Sequence, residues 1–408
     1  MRIKNRRQFL LGVAAAPGVL MGATRSWSEV DRILSSGNIK GKLSKDEVPT
    51  PALLLDLDLF ESNAARMSAH AKSSGRALRP HAKTHKSADI AKYLIRQGAV
   101  GACAAKISEA EALADEGVTG FLITGAMVGQ WRIERAVALA RKRPETIYIV
   151  DNVQNAKDLN EAAVAGKVKL NLAIDLLVGR RNGIQPGAPA IALAETVTQL
   201  PGLKLAGLQA YSGHSSHVKG FEARRKMSQE MMGMAVDTRR ALEQKGIPCQ
   251  WLSGGSTGTY NIDSQIEGVT ELQPGSYLFM DQGYNSIGGS DGNERYSDFA
   301  NSLTVVTSVY SKPSDNTAIV DGGLKTFATD SGGVPQSISH PQVTYAWGGD
   351  EHGRLDLTNS QKAVNLGDRV EFLVPHCDPT VNLHNRIVCH RKGQVEAVWK
   401  VTARGMLA

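Results

Sequence analysis

An α/β chain, in which a (β/α)8 barrel is followed by a second, C-terminal β-rich domain, is the fold that three observations predict. The chain has 408 residues, enough for a barrel and a further domain. After Pro51, nine apolar runs alternate with stretches of helical spacing, the pattern of a parallel sheet covered by helices. From about residue 290 the texture changes: segments of strand pattern follow one another and long helical periods are scarce.

Taken in order, residues 1–28 read as a leader outside the fold. Arg6-Arg7-Gln8-Phe9-Leu10 opens an apolar run from Phe9 to Ala23 that is rich in small residues. The run is shorter than the roughly 20 residues that cross a bilayer. A basic start, a short apolar centre and small residues mark a signal peptide, and paired arginines before Phe-Leu resemble the twin-arginine signal. Export by the twin-arginine machinery to the periplasm is therefore expected. The formal charge is +7, but Arg2, Lys4, Arg6, Arg7 and Arg25 all precede the first acid, Glu29, which leaves about +2 for the rest. The basic balance is a property of the leader, so no nucleic-acid partner is expected. Residues 29–50 are a polar lead-in that can belong to the β domain.

The apolar runs lie at 52–56, 76–82, 101–105, 120–124, 146–150, 169–175, 204–211, 249–253 and 269–273. Nine is one more than an eight-stranded barrel needs. The first can belong to the other domain, which leaves eight strands between 76 and 273. The barrel is placed over 51–290 and the β domain over 291–408, where 303–309, 318–320, 370–374 and 395–398 read as strands. Cys103, Cys249, Cys377 and Cys389 form no C-x-x-C pair and no dense framework, so free or buried thiols are expected.

Three clusters can carry chemistry. Arg79-Pro80-His81-Ala82-Lys83-Thr84-His85-Lys86 follows the end of an expected strand. A lysine there points into a barrel mouth and can bond an aldehyde if nearby positive charge and desolvation leave it partly deprotonated; a solvated basic loop is the plain alternative. Ser253-Gly254-Gly255-Ser256-Thr257-Gly258-Thr259 also follows a strand. Its glycines let backbone N–H groups approach a phosphate and its hydroxyls add donors; the alternative is a flexible turn. It lacks the G-K-[ST] ending of a P-loop. In Pro375-His376-Cys377-Asp378-Pro379 the His and Asp at i and i+2 of an extended segment would point the same way, as a half-built metal site with open positions, or as a chance pairing.

Joined to G-L-Q-A-Y at 207–211, E-L-Q-P-G-S-Y-L-F-M-D at 271–281 and E-H-G at 351–353, the three clusters resemble, in order, the D-threonine aldolase and D-serine dehydratase family. These are pyridoxal-phosphate enzymes of the alanine-racemase-type fold. The likeness runs from about Thr50 to Arg386 and is nearer to D-threonine aldolase.

The resemblance implies a role for each matching residue. Lys83 bonds the cofactor's aldehyde. Arg181 holds its phenolic oxygen, with Arg180 as the alternative, because the run 175–183 is one residue longer than the usual pattern. Tyr211 belongs to the cofactor site. Gly254, Gly255, Ser256, Thr257 and Tyr277 hold the phosphate, and Gln273 lies near the pyridine nitrogen. His217 acts as base on the substrate's β-hydroxyl, with His214 as its rival. His376 and Asp378 bind a divalent metal. An Asp rather than a Cys at the second ligand implies aldol cleavage rather than dehydration, and a hard carboxylate favours Mn²⁺ or Mg²⁺ over Zn²⁺. The implied reaction cleaves D-threonine or a related D-3-hydroxy amino acid to glycine and an aldehyde. The alternative is a D-serine or D-3-hydroxyaspartate type of dehydratase that releases a 2-oxo acid and ammonia. Lys325 and Arg386 are candidates to meet an acidic substrate, and a homodimer is expected from the resemblance.

Overall fold

Eight of the nine apolar runs build one ring of parallel strands. They are β2 (Ala77–Leu78), β3 (Ala102–Ala104), β4 (Phe121–Ile123), β5 (Ile147–Val150), β6 (Leu170–Asp175), β7 (Leu203–Ala210), β8 (Leu252–Gly254) and β9 (Glu271–Leu272). Their order is β2-β9-β8-β7-β6-β5-β4-β3. A parallel bridge from His81 to Cys103 brings β3 back to β2, and the N–H groups of Val100 and Cys103 donate to the carbonyls of Leu78 and Pro80. Most of these strands are buried on both faces, which is why their sequences are continuous apolar runs rather than alternations. Helices between them, such as Ile107–Asp115, Gln130–Lys142 and Val153–Ala165, cover the ring with their apolar sides. This computed structural model describes residues 25–36 and 39–408.

The ninth run, β1 (Ala52–Asp56), resolves the count. It lies in the other sheet, antiparallel to β10 (Leu303–Ser314) and parallel to β16 (Arg386–Arg391). The barrel proper therefore starts after residue 56, not at 51, and the chain ties its two sheets together before entering the barrel. The second sheet has nine strands and continues through β11 (Thr317–Val320), β12 (Gln336–Ser337), β13 (Thr344–Trp347), β14 (Gly353–Asp356), β15 (Arg369–Leu373) and β17 (Gln394–Lys400).

The twin-arginine-like segment lies within residues 1–24, outside the described residues. A helix over Trp27–Ser35 begins before the 1–28 leader ends, with Ser26 and Glu29 forming a reciprocal capping box, an arrangement that satisfies two otherwise unpaired N–H groups. Its Val30 and Leu34 pack with Ile39, Leu43, Val48, Leu54, Val306 and Val388. The lead-in is thus part of the β domain's core, and each such buried side chain contributes about 1.5–3 kcal/mol. All four cysteines are free and buried.

Candidate active site

The basic cluster at 79–86 divides once its partners are seen. Arg79 is buried and forms two hydrogen bonds, of 3.0 and 2.9 Å, with Glu271 of β9. Lys86 is buried 3.2 Å from Glu109. Burial pushes the fully buried His85 down to about 3, while its Nδ1 accepts the Ser87 N–H at 3.0 Å. Burial and then Lys83 push His81 well below the usual histidine range. Of the cations in the cluster only Lys83 reaches the cavity at the C-terminal mouth of the barrel. Its Nζ lies 3.8 Å from Asp378 Oδ2 and 5.8 Å from the centre of the Tyr211 ring. The expected net lowering of its pKa is not found. Tyr211, and then Asp378, hold the ammonium above its usual value against the lowering effects of burial and of Arg181.

Beyond β6 and β7 the structure separates two pairs of rivals. Arg181 lines the cavity with its guanidinium 5.5 Å from the Tyr211 ring centre. Gly213 leaves room for this stack, since a Cβ there would meet Tyr211 Cε1 at 2.8 Å. Arg180 instead faces His214 and, after burial, helps to lower its pKa. His217 is on the cavity, at its solvent-exposed rim, with its ring 4.6 Å from that of Tyr284. His214 is not on the cavity and contacts Ser212 at 3.3 Å. Burial first, and then the neighbouring His376, lower His217 and so favour its neutral, basic form.

The glycine-rich turn leaves β8 with Gly255 at φ +74°, a conformation that suits glycine. A Cβ on Gly254 would sit 2.2 Å from the Ala210 carbonyl oxygen, so both glycines serve the backbone path, while Ser256 and Thr257 line the cavity. Thr257 Oγ1 accepts the Tyr277 N–H at 3.0 Å. The Tyr277 ring, however, turns away to pack on Phe299, 5.5 Å between centres, and its buried hydroxyl has no partner. The expectation that its side chain holds a phosphate is therefore corrected: Tyr277 contributes backbone. Gln273 is buried on the cavity wall and donates to Gln209 Oε1 at 2.5 Å and Ser253 Oγ at 2.7 Å. This amide network is neutral.

The segment 375–379 is not extended. His376 is the N-cap of a short helix over Cys377–Val381, and Asp378 lies in its first turn. Strand alternation therefore does not unite the pair, yet both residues line the cavity. His376 Nδ1 lies 2.6 Å from Asp330 Oδ2, which leaves Nε2 available as a ligand. Burial would raise Asp378, but Lys83 and then His376 hold it below the usual carboxylate value. Cys377 is buried, and its Sγ is 3.4 Å from Asp378 Oδ1. Among the described residues no group of three or more His, Cys, Asp or Glu side chains is spaced to hold a metal, so His376 and Asp378 offer a pair of potential donors and no complete site. Lys325 is a surface residue in contact with Glu351 at 2.6 Å, and Arg386 begins β16; neither lines the cavity.

Sequence reasoning missed several lining residues. His81, Thr84 and Tyr284 share the main hollow, of about 120 Å³. Asp175 and Gln209 share an adjoining lobe of about 50 Å³. Burial, and secondly Asp151, push Asp175 up to about 8. A larger hollow of about 770 Å³ lies between residues 219–223 and 286–294 and contains none of these groups. The titratable cluster, not size, places the chemistry in the smaller cavity. That cavity fits pyridoxal phosphate by its donor set. Lys83 offers an amine to the aldehyde, and the Ser256 and Thr257 hydroxyls face the space. The Thr257 N–H has no acceptor among the described residues.

Residues 55–283 match the sequence profile of the alanine racemase N-terminal domain, and residues 302–390 match that of the putative serine dehydratase domain. A 3-hydroxy-D-aspartate aldolase from Paracoccus denitrificans is 36% identical over 366 residues, 89% of this chain and 94% of the relative. The crystal structure of D-threonine aldolase from Filomicrobium marinum superposes with a TM-score of 0.85 at 36% identity, over 91% of this chain and 99% of that one. A D-threo-3-hydroxyaspartate dehydratase from Delftia sp. is 31% identical over 356 residues, 81% of this chain and 91% of the relative. The chain belongs to the D-threonine aldolase and D-serine dehydratase family of the alanine-racemase-type fold.

Proposed function

We propose that the chain is a pyridoxal-phosphate- and divalent-metal-dependent lyase that cleaves D-threonine or a related D-3-hydroxy amino acid, such as 3-hydroxy-D-aspartate, to glycine and an aldehyde. The observation that carries this reading is that Lys83, His217, His376 and Asp378 meet in one cavity beside the Ser256-Thr257 turn. Bound there, pyridoxal phosphate supplies the electron sink for cleavage of the Cα–Cβ bond. Ser256 and Thr257 would hold its phosphate and Lys83 its aldehyde, and Arg181 and the neutral Gln273 would line the space for its ring. His217, neutral near pH 7, takes the proton from the β-hydroxyl. His376 and Asp378 would hold the metal, and a carboxylate without a thiolate favours Mn²⁺ or Mg²⁺ over Zn²⁺.

The aldolase relatives are more similar than the dehydratase, and Asp378 supplies a carboxylate at the second ligand position. The test is a product assay on the full chain with pyridoxal phosphate and D-threonine, with Mn²⁺ and then with chelator. Metal-dependent glycine and acetaldehyde are expected; 2-oxobutanoate and ammonia would establish dehydration instead. Export by the twin-arginine route and a homodimer extend the proposal. The first rests on Arg6-Arg7 before Phe9-Leu10, and cell fractionation of an R6K/R7K double variant tests it: retention in the cytoplasm is expected.

A further inference from the structure

Behind the Ser256-Thr257 turn lies a carboxyl that the proposed chemistry does not use. Asp263 is 1% exposed. Its Oδ1 accepts the Ser228 hydroxyl at 2.6 Å, and its Oδ2 accepts the Thr259 hydroxyl. Thr259 Oγ1 in turn meets the Ser256 N–H at 3.2 Å and Ser256 Oγ at 3.0 Å. A chain of hydroxyls thus runs from a buried carboxyl to the residue that faces the cavity. No cation pairs with Asp263 among the described residues. Arg224, one turn before Ser228 on the helix Phe221–Gln244, spends its guanidinium on carbonyls, including that of Gly258 at 2.8 Å. On the other side, His70 bonds Ser264 Oγ at 2.9 Å and Arg76 bonds the Ser264 carbonyl at 3.1 Å. None of the three touches the carboxyl.

The chain admits two hydrogen-bond polarities, and each is complete. With Asp263 ionised, Thr259 donates to it and accepts both the N–H and the O–H of Ser256, so Ser256 shows the cavity only lone pairs. With Asp263 protonated, the acid donates to Thr259, Thr259 donates to Ser256 Oγ, and the Ser256 O–H is released toward the cavity. A phosphate dianion favours the second polarity, in which Ser256 donates to it and keeps its bond with Thr259, and it also repels a carboxylate buried behind its binding turn.

We propose that Asp263 is a positioning residue of the phosphate site, taking up a proton from solvent when the site fills and thereby turning the Ser256 hydroxyl into a donor. The inference rests on the cofactor reading above. Burial already pushes the empty-site Asp263 up to about 6. Near neutral pH the carboxyl is therefore mostly ionised before binding and protonated after it. Affinity accordingly falls as pH rises above that value.

The probe is pyridoxine 5′-phosphate, which lacks the aldehyde and does not bond Lys83. It is titrated calorimetrically into the full chain at about pH 7.5, above the second phosphate pKa of about 6, in two buffers of different ionisation enthalpy. Wild type is expected to take up about one proton more per site than Asp263→Asn. The asparagine amide mimics the protonated acid and needs no proton, so at this pH its affinity is expected to exceed that of wild type by up to about 30-fold and to lose this pH dependence. Equal proton numbers in the two proteins would overturn the proposal. Should Asp263→Asn fail to fold, Ser228→Ala decides. Loss of its donor raises the empty-site carboxyl, so proton uptake is expected to shrink, and unchanged uptake overturns the proposal. No binding of the probe to wild type would sink the cofactor reading itself.

Discussion

The turn at 253–259 and the segment at 375–381 border the same cavity but are held there by different means. The turn is organised by its neighbours in sequence: Gly255 at positive φ, Ser256 against Thr259 and Thr259 against Asp263. The second segment depends on distant residues. His376 is oriented by Asp330, and the Cys377 N–H donates to Asp281 at 2.9 Å. A local motif carries its own geometry, whereas a pair set by long-range contacts can be lost through residues that no motif marks.

The largest expected effect breaks the second region from a distance. Asp330→Ala should leave the turn and cofactor binding intact but weaken metal affinity about 10–100-fold, as loss of a ligand's carboxylate partner does. Activity measured against metal concentration should recover at high metal; a curve superimposable on wild type would show that Asp330 does not orient His376. A smaller effect concerns the barrel side. Asp175 has a folded value of about 8 against about 3.9 in an unfolded chain. The folded state therefore binds the extra proton, and stability falls as pH rises through that window. Asp175→Asn removes this term, so its melting temperature relative to wild type should climb between about pH 4 and pH 8 and level off above. A constant difference would mean that Asp175 is ionised in the fold. The smallest effect is that of Tyr277→Phe. Its hydroxyl is buried without a partner, so removal should change cofactor affinity less than about twofold and leave stability equal or raised by up to about 1 kcal/mol. A large loss of affinity would return the ring to the phosphate site.

These contrasts explain how much was legible in the sequence. The strand–helix alternation reports burial on both faces and marks every barrel strand. It cannot say which sheet β1 joins, because a central strand of either sheet is equally apolar. In the site, Lys83, Ser256 and Thr257 were legible because a strand end fixes where the following residues lie, whereas Gln273 was reached only through the family resemblance. Arg79 and Lys86 looked like companions of Lys83 until Glu271 and Glu109, far away in sequence, neutralised them. His376 and Asp378 were found for a reason the structure corrects, since the first turn of a helix unites them rather than strand alternation. The direction of the Tyr277 ring, set by Phe299, and the partnership of Asp330 with His376 are products of tertiary packing and leave no local signal.

The central claim is that the cavity around Lys83 is where the cofactor and substrate react. The most direct measurement is borohydride reduction of the chain loaded with pyridoxal phosphate, followed by peptide mass spectrometry. The account predicts a phosphopyridoxyl group on Lys83 and on no other lysine in stoichiometric amount. A label on a different lysine, or no label on a chain that nonetheless cleaves D-threonine, would contradict it.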